Sequence, residues 1–105
     1  MSSRRGPMER VGDLLPEAAR ELGLERELRL ARATATWSAL VAERVPAASG
    51  ACRLAGIEEG DLLVEADHPI VAQELRLRSG ELLEAFGSSP GGFRAAGLRV
   101  RVRRV

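Results

Sequence analysis

Residues 52–66, CRLAGIEEGDLLVEA, hold the clearest change of hydrophobic period in the chain. Cys52 and Leu54 alternate with Arg53 and Ala55. After a turn read at Ile57-Glu58-Glu59-Gly60, the residues Leu62, Val64 and Ala66 form a second inward row. Strand side chains point to opposite faces with period two, so this stretch predicts a hairpin with one apolar and one polar face.

Outward from the hairpin the period is helical on both sides. Toward the N-terminus, Pro7 can open a helix in which Met8, Val11, Leu14, Leu15, Ala18, Ala19 and Leu22 recur at helical spacing. Pro16 is expected to kink or restart it, and Gly23 followed by Leu24 to close it as a glycine C-cap. A second helix is expected from about Glu25 to Arg44. Leu28, Ala31 and Ala35 lie on one of its seams, and Leu30, Ala33, Trp37, Leu40 and Val41 on another. Toward the C-terminus, Asp67 or His68 is expected to cap a helix with Pro69 in its first turn and an apolar face of Ile70, Val71, Leu75, Leu82, Leu83 and Phe86. Ser79-Gly80 is its weak point and Gly87 its end. A Ser/Pro/Gly loop over 87–92 leads to a last strand, where Leu98, Val100 and Val102 alternate with Arg99, Arg101 and Arg103.

The order ααββαβ predicts an α+β fold, two layers, with a three-stranded sheet and helices on one face. The expected organisation is a polar arm over 1–6 and a single domain over 7–105. With 105 residues, 45% of them hydrophobic and 30% charged, the chain can form one core. No apolar run reaches the ~20 residues of a membrane span, and no apolar segment follows Arg4 and Arg5 as a secretory signal requires. A lone Cys52 forms no internal disulfide and suits a reducing compartment, so a cytoplasmic location is expected.

Net charge is +1 but unevenly spread. Residues 51–69 hold one Arg and five acids, and residues 70–105 hold seven Arg and three acids. From Phe93 onward come Arg94, Arg99, Arg101, Arg103 and Arg104 with no acid, a bias that attracts phosphates or an acidic protein surface. The candidate nucleic-acid contacts are therefore Arg99, Arg101 and Arg103, with Arg53 and Arg94 as additions. All sixteen basic residues are Arg and the chain lacks Lys, Asn and Tyr, which a GC-rich genome explains.

Enzyme parts are missing. With no Lys there is no Walker A lysine and no Schiff-base nucleophile. The only histidine, His68, is read as a helix-start residue, Cys52 as a small core residue, and Glu58, Glu59 and Asp61 as a solvated turn. No catalytic, cofactor or metal site is expected. The eleven glycines never fall three apart, so the G-x-x-G clamp of KH domains is absent. The aromatics are Trp37, Phe86 and Phe93, none on a strand, so the sheet offers no base-stacking platform and binding would be to phosphates. Trp37 is read as core.

Several blocks, in order, carry a family resemblance: Val11-Gly12-Asp13-Leu14-Leu15-Pro16, Leu22-Gly23-Leu24, Trp37-Ser38-Ala39-Leu40-Val41-Ala42, Gly60-Asp61-Leu62-Leu63-Val64-Glu65-Ala66, Val71-Ala72-Gln73-Glu74-Leu75 and Leu98-Arg99-Val100-Arg101-Val102. Together they resemble the DciA family of bacterial replicative-helicase loaders. Ala42 stands where the family usually has Gly, and Val71 where it usually has a second Trp. Many relatives carry a tail beyond the point where this sequence ends, so a minimal or divergent member is expected. The resemblance implies a KH-like fold, no ATPase, and a DNA-binding adaptor that helps the replicative DNA helicase onto single-stranded DNA. Two alternatives stay open, a protein-protein interaction module without nucleic-acid binding and a KH-like RNA-binding domain.

Overall fold

The computed structural model describes residues 7–103, with side chains from residue 17 onward. The polar arm expected over 1–6 lies outside the described residues. In chain order the elements are α1 (Pro7–Arg44), a short 3-10 turn (Pro46–Ala48), β1 (Cys52–Glu58), β2 (Asp61–Ala66), α2 (Pro69–Leu77), α3 (Ser79–Ser88) and β3 (Gly97–Val102). The α+β class and the three-stranded sheet with helices on one face are as expected.

The helices divide differently from the expectation, giving αββααβ. The break expected at Gly23 does not occur, and α1 runs unbroken through Pro16 and Gly23 for 38 residues, about 57 Å at ~1.5 Å per residue. Nothing lies within 4 Å of the place where a Gly23 side chain would start. A glycine costs a helix interior only about 1 kcal/mol, so with no tertiary contact to redirect the chain there the helix continues. It ends where Pro46 disfavours a helical Val45.

The C-terminal helix breaks instead at Arg78, one residue before the expected weak point. Arg78 holds the corner. Its Nη1 donates to the Arg44 carbonyl at the end of α1 (2.7 Å), and its Nε lies 3.0 Å from Glu74. The expected side-chain cap on α2 is not made: His68 occupies the position without a cap hydrogen bond, and the Asp67 carboxylate turns to Arg53.

In the sheet, β2 is central, antiparallel to β1 and parallel to β3. The hairpin turn is tighter than expected, with Ile57 and Glu58 in the strand and left-handed backbone at Glu59 (φ 52°) and Gly60 (φ 83°). Two such residues match the twist of an antiparallel pair. A bulge between Leu54 and Gly56 shifts the alternation by one, so Leu54 pairs Val64 and Ile57 pairs Leu62.

The core lies between the sheet and the helices. Ala33, Trp37, Leu40 and Val41 of α1 meet Leu54 of β1, Leu62, Val64 and Ala66 of β2, Ala72 and Leu75 of α2, and Leu82 and Phe86 of α3. Trp37 is fully buried, as read from its seam. Only one of the two seams on α1 is used, because Ala31 and Ala35 are exposed and Leu22, Leu24 and Leu28 are 55%, 53% and 56% exposed. The helix therefore extends past the core, along a molecule whose longest dimension is 66 Å against a shortest of 20 Å.

Candidate nucleic-acid interface

The parallel register of β3 sends Arg99 and Arg101 to the sheet face away from the helices, and Arg103 follows just past the end of the strand; all three are exposed. The same register sets them beside the outward acids of β2. Arg53, Glu65 and Arg101 form one row across three strands. Glu65 Oε2 accepts from Arg101 Nη2 at 3.0 Å, and Glu65 Oε1 lies 3.8 Å from Arg53 Nη1. Arg53 Nη2 donates to Asp67 Oδ1 at 2.9 Å. That hydrogen bond holds the Asp67 carboxyl below the ordinary carboxylate range and raises the Arg53 guanidinium further.

At the turn end of the sheet, Arg99 takes three carboxylates. Its Nε donates to Asp61 Oδ2 at 2.8 Å, its Nη1 to Glu58 Oε1 at 3.4 Å, and Glu59 Oε1 is 3.8 Å from Nη2. Gly97 makes room for this, since a Cβ there would sit 2.9 Å from Asp61 Oδ1. Glu58, Glu59 and Asp61 are thus not only a solvated turn; they ring one guanidinium. Across the outer face, four arginines (Arg53, Arg99, Arg101, Arg103) stand with five acids (Glu58, Glu59, Asp61, Glu65, Asp67), so its local charge is close to balance. Of the five candidate arginines, Arg94 and Arg103 have no carboxylate within 4 Å among the described residues. Arg94 lies in the loop before β3, apart from the row on the strands. At the open edge of β3, Arg76 Nη2 donates to the Val100 carbonyl at 2.7 Å and satisfies an acceptor that no strand reaches.

A concavity of about 390 Å³ lies between α1 and the loop before β3. Arg29 and Arg32 form one wall and Gly91, Gly92 and Phe93 the other, with Glu25 and Leu28 on the helix beside them. The loop is fixed by Thr36, whose hydroxyl donates to the Pro90 carbonyl at 2.7 Å. It also needs its glycines. Gly91 has φ +83° with Thr36 Oγ1 only 2.7 Å from where a Cβ would be, and a Cβ on Gly92 would collide with the Phe86 carbonyl. Phe93 packs edge-on to Phe86 (centroids 5.3 Å), and Cζ of Arg29 sits 4.6 Å from the Phe93 centroid. Among the described residues, neither Arg29 nor Arg32 has a carboxylate within 4 Å. Nothing in the local sequence marks these two, because charged residues at such spacing are ordinary on a helix. The signal in hindsight is Pro90-Gly91-Gly92-Phe93-Arg94, an aromatic and a cation held on a tight glycine loop.

Candidate catalytic groups do not converge. His68 is exposed at the start of α2, and among the described residues no three His, Cys, Asp or Glu side chains come together as metal ligands. Cys52 is half-buried on the inner strand face. Burial pushes its thiol up, opposed in part by the Trp37 indole N–H, which lies against the sulfur without meeting hydrogen-bond geometry. No helix among the described residues is long and apolar enough to cross a membrane.

A family model described as Dna[CI] antecedent, DciA, matches residues 10–100, which takes in all but the first three residues of α1 and the last two of β3. The chain belongs to the DciA family. The resemblance read from the ordered blocks is borne out, and with it the association with DNA replication, since DciA is a family of DNA helicase loaders. A search of the curated proteins finds no match.

Proposed function

We propose that this DciA-family chain is a non-enzymatic, cytoplasmic adaptor that helps seat the replicative DNA helicase on single-stranded DNA. The family match over residues 10–100 carries this reading. The chemistry of the chain supports it: with no Lys there is no Walker A lysine, so any work of loading comes from binding energy.

The DNA contacts proposed on the sheet are phosphate contacts by Arg99, Arg101 and Arg103, flanked by Arg53 and Arg94. Their ion pairs rank them. Among the described residues Arg103 has no carboxylate to give up for a phosphate, Arg101 must share with Glu65, and Arg99 must leave three acids. Exposed pairs of this kind are worth little individually, so exchange of a carboxylate for a phosphate is feasible and depends steeply on salt.

The test is unwinding of a forked DNA by the host's replicative helicase, with and without this chain, at two salt concentrations. Stimulation that falls in the Arg99→Gln, Arg101→Gln, Arg103→Gln triple variant is the expected result. Glutamine is used because a reversed Arg99 would stand among Glu58, Glu59 and Asp61 and threaten the fold. The near-balanced charge of the outer sheet face favours a second reading, a protein-interaction module without nucleic-acid binding, which predicts partner binding insensitive to salt and no effect of the triple variant.

A further inference from the structure

We infer that the cleft between α1 and the loop before β3 is a docking site for the sugar-phosphate backbone of single-stranded nucleic acid, with Arg29 and Arg32 as its phosphate ligands. This rests on the DNA-binding part of the reading above and moves its strongest contact off the sheet.

Three observations carry it. The first is charge availability: the row on the sheet meets its own acids, whereas Arg29 and Arg32 have no carboxylate within 4 Å among the described residues. Glu25 lines the same cleft, so the site is cationic by the two arginines against one acid. The second is preorganisation. Arg29 has its Cζ 4.6 Å from the Phe93 ring, and Phe93 is itself braced by Phe86. A guanidinium held on an aromatic ring has already given up part of its rotamer freedom, so less is lost when its N–H groups take a phosphate. Its outer face remains a planar surface of the kind unstacked bases lie on.

The third is shape. Residues three apart on a helix have Cβ atoms about 5–6 Å apart on one side, so Arg29 and Arg32 can bracket successive backbone oxygens. The facing wall is backbone rather than side chain, because Gly91 and Gly92 admit no Cβ, and a strand can approach it closely. Thr36 fixes that wall against the helix that carries the arginines.

The test is fluorescence anisotropy of a labelled deoxythymidine oligonucleotide against the full chain, over a series of salt concentrations. Three variants are compared: Arg29→Glu with Arg32→Glu; Arg20→Glu with Arg26→Glu, which changes net charge equally on exposed α1 residues outside the cleft lining; and the sheet triple Arg99→Gln, Arg101→Gln, Arg103→Gln. Circular dichroism verifies that each is folded, and Arg29→Gln with Arg32→Gln replaces the reversal if it is not. The cleft variant is expected to lose at least tenfold in affinity and to lower the salt slope by about 1.4, the contribution of two phosphate contacts on a single strand. The Arg20/Arg26 control should lose far less, and Glu25→Gln should tighten binding. Equal losses in the cleft variant and the control would overturn the cleft and leave DNA binding standing. Loss confined to the sheet triple would also overturn it, in favour of the strand row. An oligonucleotide that the unaltered chain does not bind at low salt would overturn the cleft together with the DNA-binding part of the proposed function.

Discussion

Arg53 and Asp67, joined at 2.9 Å, are a pair whose consequence can be read from pH. Because the folded Asp67 carboxyl is held below its ordinary value, the pair's contribution to stability is fully present above the unfolded carboxylate pKa of about 3.9. It is lost as pH falls through the lower folded value. Replacing Arg53 with Gln should return the Asp67 titration midpoint upward toward that of a free aspartate, followed by its side-chain carboxyl signal in an NMR pH titration. A midpoint that stays depressed would mean another group holds the proton off. At Trp37 the issue is volume. The side chain is fully buried and its indole N–H has no hydrogen-bond partner among the described residues. Trp37→Ala should therefore cost about 3–5 kcal/mol in urea unfolding, while Trp37→Phe, which keeps an aromatic ring and removes the unmet N–H, should cost clearly less.

At the scale of elements, the strands were legible because their signal is local. Period-two alternation in 52–66 and 98–103 places β1, β2 and β3 within a few residues, and the glycine at position 60 marks the turn. The helix boundaries were not, because they depend on what the chain meets elsewhere. Gly23 has the form of a stop but no tertiary contact enforces one, and Arg78 bends the chain because its guanidinium reaches the Arg44 carbonyl 34 residues away. The same holds for charge. Arg99 and Arg101 read as free cations in sequence, yet the parallel pairing of β3 with β2 brings in Asp61 and Glu65 from 38 and 36 residues away. Two substitutions follow from these elements. Gly23→Ala should raise the stability of the α1 helix by about 1 kcal/mol, seen as increased helical circular dichroism and a higher melting temperature. Gly92→Ala should do the reverse, lowering the melting temperature by forcing the 90–93 loop off the Phe86 carbonyl, and should open the cleft beside Arg29.

At the scale of the whole molecule, the chain is elongated by α1. A mixed sheet and three helices form the core, one helix extends well past it, and the arginines with no carboxylate within 4 Å among the described residues include Arg29 and Arg32 on that helix and Arg94 and Arg103 around β3. On the function proposed above, these arginines would hold a strand on the α1 and β3 side of the molecule. The order of blocks from Val11 to Val102 was enough to reach the DciA family from sequence; the cleft was not, because its two walls are about 60 residues apart and meet only in the fold. If this chain, as proposed, puts the replicative helicase onto single-stranded DNA, it should do so on a covalently closed single-stranded circle, which a closed ring cannot thread onto from an end. The measurement is the fraction of helicase that co-elutes with the circle in size-exclusion chromatography, with and without the chain. A several-fold rise in retained helicase that is lost with the Arg29→Glu, Arg32→Glu variant is expected; retention unchanged by the unaltered chain would rule the loading role out.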